Sequence, residues 1–227
     1  MIEARHLGLM SYRDCLQVQY QTHKYVLENP GRGVILTVQH PSVITLGKHA
    51  NPGNLLGSSE WLSAHSIDLC ETDRGGEVTA HEPGQLVVYP ILRLSDFLLS
   101  PKRYVALLEE VVMAILADLG VSSSVDPERP GVWVGAEKIC AVGVRIKDRV
   151  SMHGIALNIQ NSLDIFKLIV PCGLQGRGVT SIARQGISPA LSLDDIREQL
   201  VTALITGLEA KQVSLSAPCP DEKLLQQ

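Results

Sequence analysis

The sequence predicts an α/β (α+β) protein built on a mixed central sheet flanked by helices. Three observations predict it. Apolar residues recur at helical spacing behind Ser-based capping signals in three places: after Ser11, Ser100 and Ser192. Short β-branched runs bounded by Gly, Pro and Asn alternate with those helices. Several of the runs are joined only by tight turns, which makes their strands antiparallel. A chain of 227 residues, 45% hydrophobic and 19% charged, suits one catalytic domain. That domain is expected to occupy residues 1–210, with a loose tail at 211–227.

The elements follow in order. Leu7–Met10 is a short first strand. Tyr12, Cys15, Leu16, Gln19, His23, Val26 and Leu27 share a helical face, and Asn29-Pro30-Gly31 stops that helix. Gly33–Gln39 is a buried strand, Val43–Gly47 a second extended run, Ser59–Ala64 a brief helix and Ile67–Glu71 a strand. Leu86–Leu94 is a further strand. Pro101 after Ser100 starts a helix whose apolar face runs from Tyr104 to Leu119, and Gly120 ends it. Ser122–Val125 is a strand, and three antiparallel strands in series follow between Gly131 and Asn158. Asp164–Ile169 is a helical or irregular link. Ile196, Leu200, Leu204 and Leu208 mark the last helix.

Arg74-Gly75-Gly76-Glu77-Val78-Thr79-Ala80-His81-Glu82-Pro83-Gly84-Gln85 concentrates glycine with acid, base and anion-binding side chains. It reads either as a ligand-holding loop on a core strand or as a hairpin loop rich in turn formers. Cys172, between Pro171 and Gly173 and ahead of Gly176-Arg177-Gly178, is the best nucleophile candidate. Cys15, Cys70 and Cys140 sit inside periodic elements and suit the core. Lys138 starts a strand of small and apolar residues; it either snorkels to solvent or is kept for its charge beside a thiolate. His81, and below it His153, are acid–base candidates, which leaves a Cys-His hydrolase dyad open.

Other classes are disfavoured. The net charge of −4 argues against a nucleic-acid binder. No apolar run is long enough to span a bilayer. Five dispersed cysteines without a Cys-x-x-Cys pair fit a reducing cytoplasm. Neither metal-ligand spacing nor a Walker-type phosphate loop is present, so no metal or cofactor is expected.

Taken together, the motifs resemble the lipoyl(octanoyl) transferase family. They are Thr45-Leu46-Gly47, Arg74-Gly75-Gly76 through His81, Pro83-Gly84-Gln85-Leu86 with Tyr89-Pro90-Ile91, Lys138 after Gly135-Ala136-Glu137, Gly154-Ile155-Ala156-Leu157-Asn158, and Pro171-Cys172-Gly173 with Val179-Thr180-Ser181. The resemblance implies the fold of biotin and lipoate protein ligases, with a smaller second sheet. It implies transfer of an octanoyl group from octanoyl-acyl carrier protein to a lysine of lipoyl domains, on 2-oxoacid dehydrogenase E2 subunits and the glycine cleavage H protein. The enzyme would be a cytoplasmic monomer.

The resemblance makes Cys172 the acyl carrier and Lys138 the group that tunes it. Arg74, Gly75, Gly76, Glu77, Val78, Thr79, Ala80 and His81, with Ala141-Val142-Gly143 and Gly154-Ile155-Ala156, would line the acyl site. Lys48, Lys167, Arg177 and Arg184 are candidates for a basic patch facing an acidic carrier protein. Two residues depart from the family pattern. Glu82 stands where glycine is usual and would strain a φ > 0 turn, and Ala80 replaces an aromatic or His and would widen the pocket. The alternatives are an ATP-dependent lipoate or biotin ligase on the same fold, and a non-catalytic domain that binds acyl chains or a carrier protein.

Overall fold

A computed structural model describes residues 1–170, 178–187 and 192–216, by backbone alone for residues 52 and 211–216. Strands β1 (Ile2–Leu9), β2 (Gly33–Gln39), β6 (Gln85–Leu92), β10 (Val150–Asn158), β9 (Glu137–Lys147), β8 (Arg129–Val134) and β7 (Ser124–Asp126) form a seven-stranded sheet in that spatial order. β1 and β2 are parallel; every other pair in this sheet is antiparallel. Strands β4 (Asp68–Glu71), β3 (Val43–Leu46) and β5 (Val78–His81) make a separate three-stranded sheet. The expected mixed sheet with a smaller companion is therefore present.

Period-2 alternation divides the central strand β6 between two cores. Leu86, Val88 and Leu92 join Ile155 and Leu157 of β10 under helices α3 (Pro101–Asp118) and α4 (Leu193–Ser216). Val87, Tyr89 and Ile91 turn the other way, toward Cys15 and Val26 of α1 (Tyr12–Glu28). All eight residues of β6 are buried, as a strand covered on both faces requires.

The predicted caps are formed. The Ser11 and Ser100 hydroxyls accept from Asp14 N and Arg103 N, and Ser58, for which no cap is predicted, accepts from Trp61 N at the start of α2 (Ser59–Ala64). At α4 the cap is reciprocal: Asp195 N donates to Ser192 Oγ, and Ser192 N donates to Asp195 Oδ2 at 2.8 Å.

Three sequence expectations change. The first strand is Ile2–Leu9 rather than Leu7–Met10; it is an edge strand whose exposed Glu3 and Arg5 hide the apolar alternation. The 86–94 strand begins at Gln85 and ends at Leu92, and Leu94–Phe97 is a 3₁₀ turn. α4 runs to Ser216, into the stretch expected to be a tail; Gly207 is accommodated within the helix, and no proline occurs between Leu193 and Pro218.

The β5–β6 turn corrects the expectation for Glu82. Positive φ falls on Gly84 (90°), not on Glu82, so no strain arises there. The Glu82 carboxylate is buried and accepts from Leu163 N (2.7 Å), Ser162 Oγ (3.0 Å) and Asn161 Nδ2 (3.1 Å). It ties the turn to the chain leaving β10. Glu82→Ala and Glu82→Gly should each lose about 2–4 kcal/mol of unfolding free energy in urea melts, since three donors, two of them on buried residues, would lose their acceptor. A neutral or stabilised Glu82→Gly would show that the backbone, not the carboxylate, decides this turn.

Candidate active site

A cavity of about 400 Å³ lies where the small sheet meets β9 and β10 of the large one. Its geometry starts from the 72–77 loop that links β4 to β5. Arg74 is buried and spends its donors on uncharged oxygens. Its Nη2 reaches Thr45 O and Glu77 O, both at 2.7 Å, and its Nε reaches Thr45 Oγ1 at 3.1 Å. This fastens the loop to β3. Gly75 N then donates to Val144 O of β9 at 3.1 Å, joining loop and central sheet. A Cβ on Gly75 would stand 2.9 Å from that same oxygen, so the approach demands glycine. The glycine is thus needed for a protein–protein backbone contact.

Small residues make the opposite wall. Ala156 of β10 pairs with Ala141 of β9, and Gly154 pairs with Gly143. The four share one face by alternation, and the cavity occupies the room that larger side chains would fill. Arg74, Gly75, Gly76, Glu77, Val78, Thr79, His81, Lys138, Ala141, Val142, Gly143, Gly154, Ile155 and Ala156 all line it. Ala80 does not. It is fully buried in the small-sheet core beside Ile44 and Val78, so it widens nothing.

His81 and His153, both candidates from the sequence, are joined in the polar part of the lining by Tyr12 and Tyr89, with His40 packed against His81. Asn158 Nδ2 donates to Thr180 O, which fixes its amide; Gln85 Nε2 donates to Asn158 Oδ1 and to Ala80 O. Gln85 Oε1 therefore accepts from His81 Nδ1 at 2.7 Å, leaving Nε2 as a lone pair. Burial, then the neighbouring His40, pushes His81 down to about 3. His40 donates from Nδ1 to Met10 O and accepts from the Tyr89 hydroxyl at Nε2; burial takes it down to about 4. Tyr12 stacks on His81 with centroids 5.7 Å apart.

His153, placed behind His81 in the sequence reading, is equally embedded. It adopts φ 56° in β10, lines the cavity, and donates from Nε2 to Asp73 at 2.9 Å. Asp73, whose carboxyl is held low first by that bond, also pairs with Arg145. Asp73 carried no motif signal beyond standing next to Arg74, whereas Gln85 closed the glycine-rich stretch.

Lys138 enters the wall from β9 and is 9% exposed. Its Nζ donates to Pro130 O at 3.2 Å and lies 4.7 Å from the Trp133 ring centroid. Val179 pairs alongside it, through Lys138 N to Gly178 O and Thr180 N to Lys138 O, both at 3.0 Å. Cys172 and Arg177 lie outside the described residues. Cys15, Cys70 and Cys140 are buried, and burial raises the thiols of Cys15 and Cys140 to about 12, which makes both poor nucleophiles. Lys48 is exposed, but Lys167 pairs with Asp164 at 2.6 Å, and Arg184 donates to Ser162 O. No described helix is long and apolar enough to cross a membrane.

The fold is that of protein ligases for lipoate. A bipartite lipoate protein ligase from Thermoplasma acidophilum superposes with a TM-score of 0.71 over 95% of this chain and 91% of its own, at 14% identity. Residues 11–205 match the lipoyl protein ligase A/B catalytic domain. Among curated relatives, the octanoyltransferase of Alkaliphilus metalliredigens is 46% identical over 78% of this chain and 82% of its own. That of Clostridium kluyveri is 42% identical over 77% and 75%. The chain belongs to the lipoyl protein ligase A/B catalytic-domain family and, within it, to the octanoyltransferases.

The buried neutral histidines set a pH dependence of stability. His40 and His81 have folded pKa values below their ordinary 6.5, so below pH 6.5 the unfolded chain binds protons that the folded one refuses. Their stabilisation is present above pH 6.5 and is lost as pH falls toward 4. Between pH 6 and 5 the wild type should lose about 1 kcal/mol more unfolding free energy in urea melts than His40→Gln. Identical pH slopes for the two proteins would contradict neutral burial of His40.

Proposed function

We propose that this protein transfers an octanoyl group from octanoyl-acyl carrier protein to a lysine of lipoyl domains, through a thioester on Cys172 and without a cofactor. The observation that carries the reading is the cavity walled by Ala141, Gly143, Gly154 and Ala156, with the buried amine of Lys138 in its lining. A narrow apolar space suits an unbranched acyl chain, and a buried cation suits a thiolate. The octanoyltransferase relatives support octanoyl as the group transferred.

The chemistry balances without ATP. The Cys172 thiolate attacks the carrier thioester, forming a Cys172 sulfur–acyl bond and breaking the carrier's carbon–sulfur bond. The Lys138 ammonium gives its proton to the departing carrier thiolate. The acceptor lysine amine then attacks the Cys172 thioester, an amide forms, and the thiolate leaves. Neutral Lys138 takes up the amine's proton, which restores the ion pair. Acceptors of this chemistry are the lipoyl domains of 2-oxoacid dehydrogenase E2 subunits and the glycine cleavage H protein, with the enzyme acting as a monomer. Lys48 is the candidate contact for an acidic carrier, since Lys167 is already neutralised by Asp164.

Intact mass after incubation with octanoyl-acyl carrier protein should rise by one octanoyl group, in the absence of ATP. The gain should vanish in Cys172→Ser and discharge when a lipoyl domain is added. Persistence of the added mass in Cys172→Ser, or an absolute need for ATP, overturns the covalent mechanism.

A further inference from the structure

One peptide group connects Lys138 to a carboxylate that no motif pointed to. Lys138 Nζ donates to the carbonyl oxygen of Pro130 at 3.2 Å. The N–H on the far side of that same peptide bond, Gly131 N, donates to Glu109 Oε1 at 2.8 Å. Glu109 projects from α3, the helix that covers the other face of β8 and β9, and is only half-buried. Burial raises its carboxyl, while the Gly131 hydrogen bond and the charge of Lys138 oppose that rise, so carboxylate and ammonium sense each other across the peptide.

The peptide is built to sit there. Gly131 has φ 136°, and a Cβ on it would stand 2.7 Å from Cys140 O and 3.2 Å from Lys138 Cε. Glycine therefore lets the chain close onto the lysine stem. A register shift between Val132 and Trp133 re-aims the strand at this point, bringing the Trp133 ring beneath Nζ. Proline at 130 restricts the backbone on the other side.

We propose that Glu109 is a positioning residue for acyl transfer: through the Pro130–Gly131 peptide it fixes the place of the Lys138 amine. A carboxylate on the N–H side polarises the amide, which strengthens the carbonyl oxygen as an acceptor for the ammonium. The same bond holds the 129–131 backbone against α3. Without it, Pro130 O is free to withdraw, and Lys138 Nζ loses a reference point in the wall of the cavity. The inference rests on the role proposed above for Lys138.

A double-mutant cycle tests it. Single-turnover transfer from octanoyl-acyl carrier protein to a lipoyl domain is measured for Glu109→Ala, Glu109→Gln, Lys138→Ala and Glu109→Ala/Lys138→Ala, with thermal melts confirming folding. Glu109→Ala should slow transfer roughly ten- to a hundred-fold at near-constant KM, as a displaced catalytic group does. Glu109→Gln, which keeps an acceptor for Gly131 N–H, should recover part of the rate. In the Lys138→Ala background the second substitution should change the residual rate by less than about two-fold. A wild-type rate in folded Glu109→Ala, or an equal loss in both backgrounds, overturns the inference. Full turnover in Lys138→Ala overturns the assignment of Lys138 itself, and the inference with it.

Discussion

The structure depends on one close approach, where the 72–77 loop of the small sheet lies against β9 of the large sheet. Gly75 N reaches Val144 O, and no side chain fits between them. The approach is possible because Arg74 has already fixed the loop on Thr45, and because Gly143 leaves space facing Gly75 O. These contacts set the distance between the two sheets at this edge of the cavity. Hydrogen-bonded backbone is a rigid way to set this distance, since it lacks the rotamer freedom of side-chain packing. The loop that the sequence singled out for glycine and charge is therefore chiefly a joint between two sheets. Its residues line the cavity because of where that joint places them.

The rest of the site is arranged so that polar groups face the cavity in fixed protonation states. The chain of amides from Thr180 through Asn158 and Gln85 leaves His81 with a bare Nε2, and burial keeps it neutral. His40 is fixed in the same manner between Met10 O and Tyr89. The neutral His81 therefore presents a hydrogen-bond acceptor at the cavity without adding a charge to it. At His153 burial again lowers the pKa, and the Asp73 carboxylate opposes that shift without reversing it. Three imidazoles are thus each held in place by a distinct partner.

Much of this was legible in the sequence, for physical reasons that differ by element. Helices announced themselves through Ser caps and the Ile196–Leu208 stripe, since capping and amphipathicity are local. The three-strand series from Gly131 to Asn158 was readable because tight turns force antiparallel neighbours. β1 was misplaced because an edge strand pairs through backbone and leaves Glu3 and Arg5 in water. Ala80 was assigned to the cavity because a motif carries no strand phase; in β5 that residue faces the small-sheet core. Glu82 looked like strain and is an anchor, because its partners at 161–163 are distant in sequence. Asp73, His40 and Glu109 were missed for that same reason: each acts through a contact that only the folded sheet creates.

In the proposed reaction the acyl chain, attached to Cys172, lies between the small-residue face of β9–β10 and the 74–81 loop. The most direct measurement is a crystal structure of the protein trapped after loading from octanoyl-acyl carrier protein. Continuous density is expected from Cys172 Sγ along Ala141, Gly143, Gly154 and Ala156, with Lys138 Nζ beside the thioester. Density for the chain outside this cavity, or an acyl group bonded to another residue, would contradict it.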